Sequence, residues 1–364
     1  MPILQDIFRK HGPAYMKKYG QAIPGHHKKA LMAIMSCRSK ALGGQLYYCP
    51  QCREFHYSYH SCQNRHCVVC QNNDALDWTQ KQKGRLLPFT YFLATFTLPE
   101  QLRKLARSHQ KLFYNILFKA SSEALKLLAK DPKYLGAHIG MVAVLHTWTR
   151  ALFYHPHVHY LIPGGGIVTE GNNVRFAKDD FLMHVKALSV IFRAKFRDAL
   201  KKNDDILFGK INKKVWKTAW VVHIKTVGNG KKALEYMGRY LFRVAISNNR
   251  ILKTDKDKVT FRYTDSKTGR MITVTLGVFE FMRRFLQHVL PHQFIKVRYY
   301  GFLAPAARKS FNRLRKMLFM TAIADKKNEQ QNNKDPRPLL LCPVCGKPLQ
   351  WVAEIPKGFY ENAP

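Results

Sequence analysis

The sequence predicts an α+β protein on two observations: from residue 89 onward, strand-like and helical segments alternate, and glycine-rich turns separate them. A third observation sets the amino-terminal part aside, because residues 1–73 concentrate cysteine, histidine and glycine. That part reads as a zinc-stabilised module with one amphipathic helix at about residues 27–36. Residues 89–98, dominated by β-branched and aromatic side chains, read as a buried strand. Pro99 then opens a long helical stretch to about residue 130, followed by strands at 139–147 and 157–162 and a turn at Gly164 to Gly166. A helix is expected over 179–202, a strand over 216–227, and a second helix over 234–243 after a Gly-Asn-Gly turn. Residues 259–263 and 271–276 read as a hairpin, and 278–290 as a helix. Residues 325–338 are polar and aperiodic, which predicts a flexible linker to a tail carrying Cys342 and Cys345. The division expected is therefore 1–80, 85–320 and 321–364.

Charge restricts the partners. Lysine and arginine number 61 against 23 aspartates and glutamates, a formal net charge of +38. An excess this large destabilises a compact chain by self-repulsion unless a polyanion uses it. Nucleic acid fits better than membrane, because the longest apolar stretch, residues 86–99, is too short to span a bilayer. The first 18 residues lack a secretory hydrophobic region, and eight cysteines, most of them in Cys-x-x-Cys pairs, suit thiolate metal sites in a reducing compartment. A cytoplasmic protein is expected.

Cys49-x-x-Cys52 and Cys67-x-x-Cys70, separated by fourteen residues, have the spacing of two knuckles closing one tetrahedral zinc site. Cys37, Cys62, His66, Cys342 and Cys345 remain for a second zinc, without a spacing that selects among them. His157-Val158-His159 lies in an expected strand, so both imidazoles share one face while Val158, Tyr160 and Ile162 take the other. Two neutral imidazoles leave positions open on a divalent ion, which suits polarisation of a phosphate. Tyr236 and Tyr240, four apart on an expected helix, share a face flanked by Arg239 and Arg243. A tyrosine attacking phosphate needs a nearby cation or metal to lower its barrier. No phosphate-binding loop sequence is present.

Taken together, these residues resemble the rolling-circle insertion-sequence transposases of the HUH, two-tyrosine class. The resemblance runs over most of the chain. It includes Cys37-Arg38 with Ala41-Leu42-Gly43-Gly44, Ser61-Cys62 with Asn64-Arg65-His66-Cys67, and Phe96-Thr97-Leu98-Pro99-Glu100. It continues through His155-Pro156-His157-Val158-His159, Tyr236-Met237-Gly238-Arg239-Tyr240, Arg243-Val244-Ala245-Ile246-Ser247-Asn248 and Tyr299-Tyr300-Gly301-Phe302-Leu303-Ala304. It implies a zinc-binding amino-terminal domain, a ferredoxin-like HUH nuclease core with an antiparallel central sheet, and 5′-phosphotyrosine chemistry with Mg2+ or Mn2+. The partners implied are single-stranded or hairpin DNA at element ends and target DNA, met by a monomer or dimer at the prokaryotic nucleoid. Arg150 and Gln45 depart from the pattern, which more usually has Gln and His at those places. A guanidinium accepts no bond from a metal, so the third ligand falls to His146, His155, Glu235 or water. A replication initiator or relaxase would share this chemistry, and a DNA-binding protein that has lost catalysis would share the zinc and the charge.

Overall fold

The computed structural model describes the chain apart from residues 1–3, 71–77, 169–172, 179, 233, 236–237, 239–244, 266–267, 320–339 and 359–364. Two helices open it, α1 (Leu4–Tyr19) and α2 (Gly25–Ser36). The first was not expected, because Pro13 and Gly12 interrupt its pattern. Its apolar face nevertheless repeats at helical spacing, and Leu4, Ile7, Phe8 and Tyr15 are buried. The second follows the expected periodicity. Strands β1 (Gly44–Cys49) and β2 (Glu54–Tyr59) then form an antiparallel hairpin, with Cys52 and a left-handed Arg53 in its turn.

The central sheet begins with β3 (Tyr91–Thr97). Two helices follow it, α3 (Glu100–Ser108) and α4 (Gln110–Lys130), where a single long helix was expected. The break falls at His109, whose backbone leaves the helical region. Ser108 Oγ donates to the Leu105 carbonyl at 3.1 Å, and His109 Nδ1 lies 3.2 Å from the same oxygen. Side chains competing for a helical carbonyl end the run locally.

Next come β4 (His138–Ile139), β5 (Met141–Trp148) and β6 (Tyr154–Pro163), then β7 (Gly165–Ile167) and β8 (Val174–Phe176). Helices α5 (Val185–Asn203) and α6 (Asp205–Gly209) lead to β9 (Val222–Thr226). That strand starts later than its composition suggested. Trp216 ends a 3-10 turn capped by Asn212, and the Trp216 and Trp220 rings stack at 5.7 Å. Aromatic side chains there serve packing rather than a ladder.

The carboxyl half adds β10 (Ile251–Asp255), β11 (Lys258–Thr264) and β12 (Met271–Gly277), the last two forming the expected hairpin. Helix α7 (Val278–Leu286), strand β13 (Val297–Tyr300) and helix α8 (Arg308–Met317) follow. The tail returns as β14 (Gln350–Ile355), which pairs antiparallel with β1.

The five-stranded sheet has the order β13-β5-β6-β3-β9, antiparallel throughout. Without β13 this is a β-α-β-β-α-β arrangement with the first strand next to the third and fourth, the ferredoxin-like topology. The α+β class with an antiparallel central sheet is thus as expected.

The two faces of the sheet carry different chemistry. Phe92, Ala94 and Phe96 of β3, Ala143 and Leu145 of β5, and Val158, Tyr160 and Ile162 of β6 pack on α4 and α5 in the largest core. On the opposite face Leu93, Val142, Val144 and Leu161 meet Phe302, Leu303, Phe311 and Leu314. Gly301 lets the chain make that turn: its φ is +58°, and a Cβ would strike the Ile139 carbonyl. A third core joins Leu4, Phe8, Leu31 and Ile34 to Phe261, Phe281 and Phe285, with the Phe8 and Phe285 rings edge to face at 5.0 Å. This core crosses the division expected near residue 80. No described helix is long and apolar enough to cross a membrane.

Candidate active site and metal centres

Alternation along β6 sends His157 and His159 to the face that α4 and α5 leave open. The register sets their neighbours. His157 lies opposite His146 of β5, and His159 lies between Val144 of β5 and Thr95 of β3. The ligand nitrogens of His146, His157 and His159 all fall within 4.8 Å of one another. His157 Nδ1–H donates to the His155 carbonyl at 2.6 Å, which leaves its Nε2 as a lone-pair donor. Thr95 Oγ1 is 2.8 Å from His159 Nδ1 and accepts from it in the tautomer that frees Nε2 in the same way.

Electrostatics keep these rings neutral. Burial pushes His157 down to about 4, with the nearby Arg103 acting in the same direction. Burial likewise holds His146 and His159 well below the usual histidine range, and the neighbouring rings and lysines add to it. Neutral imidazoles are what a divalent metal requires.

Of the candidates for a third ligand, His146 alone joins the pair. His155 contributes its carbonyl to His157, and its own ring is not in the cluster. Glu235 is salt-bridged to Lys83 at 3.2 Å. Arg150 is turned toward the hairpin sheet, where its Nη1 donates to the Thr264 carbonyl at 2.9 Å. The pairing of β5 with β6 is what selects His146 among those candidates, because it continues the Val142, Val144 face and lies opposite His157.

Tyr236, Tyr240, Arg239 and Arg243 lie outside the described residues. Their near neighbour Leu234 is buried with Leu93 and Leu161, on the same sheet face as the histidines.

The cysteines form two sets of four. Cys37, Cys62, Cys67 and Cys70 make one, and Cys49, Cys52, Cys342 and Cys345 the other, each with its sulfurs within 4.8 Å of one another. The single site expected from Cys49, Cys52, Cys67 and Cys70 does not form. The Cys49–Cys52 knuckle rides on the β1–β2 turn, while Cys67 and Cys70 sit against the α1–α2 core, so the hairpin separates them. Nor do Cys62 and the tail pair share a site. His66 joins neither set, since its Nε2 accepts from the Leu290 N–H at 3.2 Å.

The sulfur separations decide between metal and disulfide. Cys37–Cys70 is 3.4 Å, Cys62–Cys70 3.6 Å, Cys49–Cys345 3.6 Å and Cys52–Cys342 3.9 Å. A disulfide needs about 2.05 Å. Zn–S bonds of about 2.3 Å in a tetrahedron put sulfurs about 3.8 Å apart, which these sets approach. Cys67 is already drawn down to about 5, by the Cys62 thiol first and by the Val69 and Cys70 backbone N–H groups as well. Both sets are donor sets for structural zinc.

Comparison with known proteins agrees with this arrangement. Residues 7–98 match the family model of a transposase zinc-binding domain, and residues 140–311 match a family described as "Putative transposase". The chain is 36% identical to "Putative transposase y4qJ" of Sinorhizobium fredii, over 98% of this chain and 96% of that one. It is 28% identical to the transposase for insertion sequence element IS801 of Pseudomonas savastanoi pv. phaseolicola, over 74% of this chain and 68% of the relative. No solved structure matches it. With near-complete coverage of one such relative, and with cysteines and histidines clustered where the motifs lead, the chain belongs to the IS91- and IS801-type insertion-sequence transposases, the HUH class whose motifs it shares.

Proposed function

We propose that this transposase nicks and rejoins single-stranded DNA at element ends and target sites, with Tyr236 and Tyr240 as nucleophiles and His146, His157 and His159 as ligands of a divalent cation. The observation that carries the reading is the convergence of three neutral imidazoles, His146 buried and His157 and His159 half-buried, on the sheet face opposite α4 and α5. A bound Mg2+ or Mn2+ would supply Lewis-acid polarisation of the scissile phosphate. An all-nitrogen donor set suits Mn2+ better than Mg2+, which prefers oxygen.

The chain's own residues supply the rest. A tyrosine Oη forms a bond to phosphorus as the bond from phosphorus to the 3′ oxygen breaks. The phenolic proton is lost, and the departing oxygen takes up a proton to become a 3′ hydroxyl. The phosphodiester is exchanged rather than hydrolysed, so rejoining needs no nucleotide cofactor. Arg239 and Arg243 flank the tyrosines as phosphate contacts. Two nucleophiles near one site allow one to hold a 5′ end while the other makes the next cut. Thr95 and the His155 carbonyl orient the two β6 imidazoles. The two cysteine sets each hold one structural zinc, and with four thiolates apiece neither offers substrate a coordination position.

The test is incubation of labelled single-stranded element-end DNA with the protein and Mn2+, followed by denaturing electrophoresis and mapping of the adduct. A covalent adduct on Tyr236 or Tyr240 is expected. Each single phenylalanine variant should keep partial cleavage or joining, and the double variant should form none. An adduct on the double variant would remove the nucleophile from this segment.

A further inference from the structure

The zinc-binding region carries a surface that neither the histidine site nor the zinc ligands explain. In the sheet of order β14-β1-β2 the pleat sorts the side chains. One face presents Phe55, Tyr57 and Tyr59 of β2, with Leu46 and Tyr48 of β1 across from them. Phe55 and Tyr57 are 56% and 53% exposed, far more than is usual for large aromatic side chains. Their rings are ordered against neighbours: Tyr57 and Tyr59 lie near parallel, 14° apart with centroids at 5.9 Å, and Tyr48 packs on Phe55 at 5.1 Å.

The charge arrangement is selective. Register and alternation assign the sheet's two carboxylates, Glu54 and Glu354, to the opposite face. Arginines stand at both ends of β2. Arg53 is in the β1–β2 turn, and at the other end the Arg38 backbone N–H donates to the His60 carbonyl, just past Tyr59.

We infer that this face is a stacking platform for single-stranded DNA, with unpaired bases laid on Phe55, Tyr57 and Tyr59 and phosphates met by the arginines at its ends. The inference rests on the reading of the protein as a single-strand transposase and goes beyond it by assigning the surface. Single-strand binders use this combination of aromatic rings and a cationic rim, because every base has a stackable face once unpaired. Duplex DNA hides those faces and would meet only the cations. A protein partner fits less well, since a chain of net charge +38 would then leave this exposed aromatic face without the polyanion its rim attracts.

The experiment uses the full-length, zinc-loaded chain and a fluorescent oligothymidine, with a duplex of equal length as the control. Stacking is worth about 1–3 kcal/mol per base, so Phe55→Ala with Tyr57→Ala should weaken oligothymidine binding at least tenfold and duplex binding less than about twofold. The conservative Tyr57→Phe should retain near-normal affinity. Independently, an oligonucleotide carrying 5-iododeoxyuridine should crosslink under ultraviolet light to the peptide containing residues 54–59 in the wild-type protein. Equal losses on both DNAs, unchanged binding, or crosslinks only elsewhere would overturn the platform. So would a change in oligomeric state with single-strand affinity intact, which would make the face a self-association surface. Should the platform fail while the tyrosine adduct still forms, only this inference falls. Failure of the wild-type protein to bind single strands or form any adduct would instead sink the parent reading.

Discussion

The two cysteine sets offer the same four donors but are built from very different stretches of chain. Cys37, Cys62, Cys67 and Cys70 come from one amino-terminal stretch and lie against the core shared by α1, α2 and α7. Cys49 and Cys52 instead meet Cys342 and Cys345 across sequence separations of 296 and 290 residues, on a sheet that the tail strand completes. The first is a local cross-link under a core, whereas the second is a clasp between distant parts of the chain. Equal chemistry therefore predicts unequal consequences of loss. Structural zinc supplies about 10–16 kcal/mol of apparent folding free energy in small domains, and among the described residues only the first site has a core built around it.

Four measurements break or sharpen that contrast. The largest effect is expected from Cys67→Ser, which should cost zinc and unfold the α1–α2 region, read as lost helicity and protease resistance. A variant that stays folded and binds DNA normally without that zinc would refute the structural role. The next largest separates both cysteine sets from the open histidine site: His157→Ala with His159→Ala should lower cleavage by about a thousandfold or more while leaving two zinc ions per chain and DNA affinity nearly intact. Unchanged cleavage would move the metal elsewhere. Cys345→Ser should lose one zinc ion of two and release the β14 tail, measured as fast amide exchange in β1, with the central sheet unaffected. Thr95→Val should weaken Mn2+ binding at the proposed histidine site by about 10–100-fold through loss of the hydrogen bond to His159, without altering zinc content.

Acid should act on a different feature, the buried neutral histidines. Burial pushes His288 down to about 3, and it lies 3.3 Å from both Thr147 Oγ1 and the Leu152 carbonyl. Its folded form holds its proton less tightly than the unfolded chain, whose histidine titrates near 6.5. Its contribution is therefore complete above about pH 6.5 and is lost as pH falls toward 3. The melting temperature should drop through that window, and His288→Gln should flatten the drop; an identical pH profile for the variant would remove His288 as a cause.

How much of this was legible in the sequence depends on the range of each interaction. The alternation of His157, Val158 and His159 is local, and it correctly placed Val158 and Tyr160 in the helix-covered core. The β11–β12 hairpin was legible for the same reason. His146 was one of several candidates in the sequence, and choosing it needed knowledge of which strand pairs with β6, a non-local fact that periodicity does not contain. Cysteine spacing misled because a Cys-x-x-Cys knuckle specifies its own turn but not its partner knuckle, and a return strand from residues 350–355 leaves no local mark. Helix α1 was missed because Gly12 and Pro13 weigh against a helix in propensity, while burial of Phe8 and Tyr15 outweighs them in the fold.

The clasp also sets a timetable for synthesis. Cys49 and Cys52 leave the ribosome with only half of their ligands, and the other half follows about 290 residues later. At elongation rates of about 5–20 residues per second the wait is about 15–60 s. During that interval β1 has β2 on one side and an unpaired backbone edge on the other, the kind of edge that recruits strands from neighbouring chains. A nascent chain stalled or truncated before Cys342 would keep that edge permanently, so premature termination should yield aggregates rather than a soluble, shortened transposase.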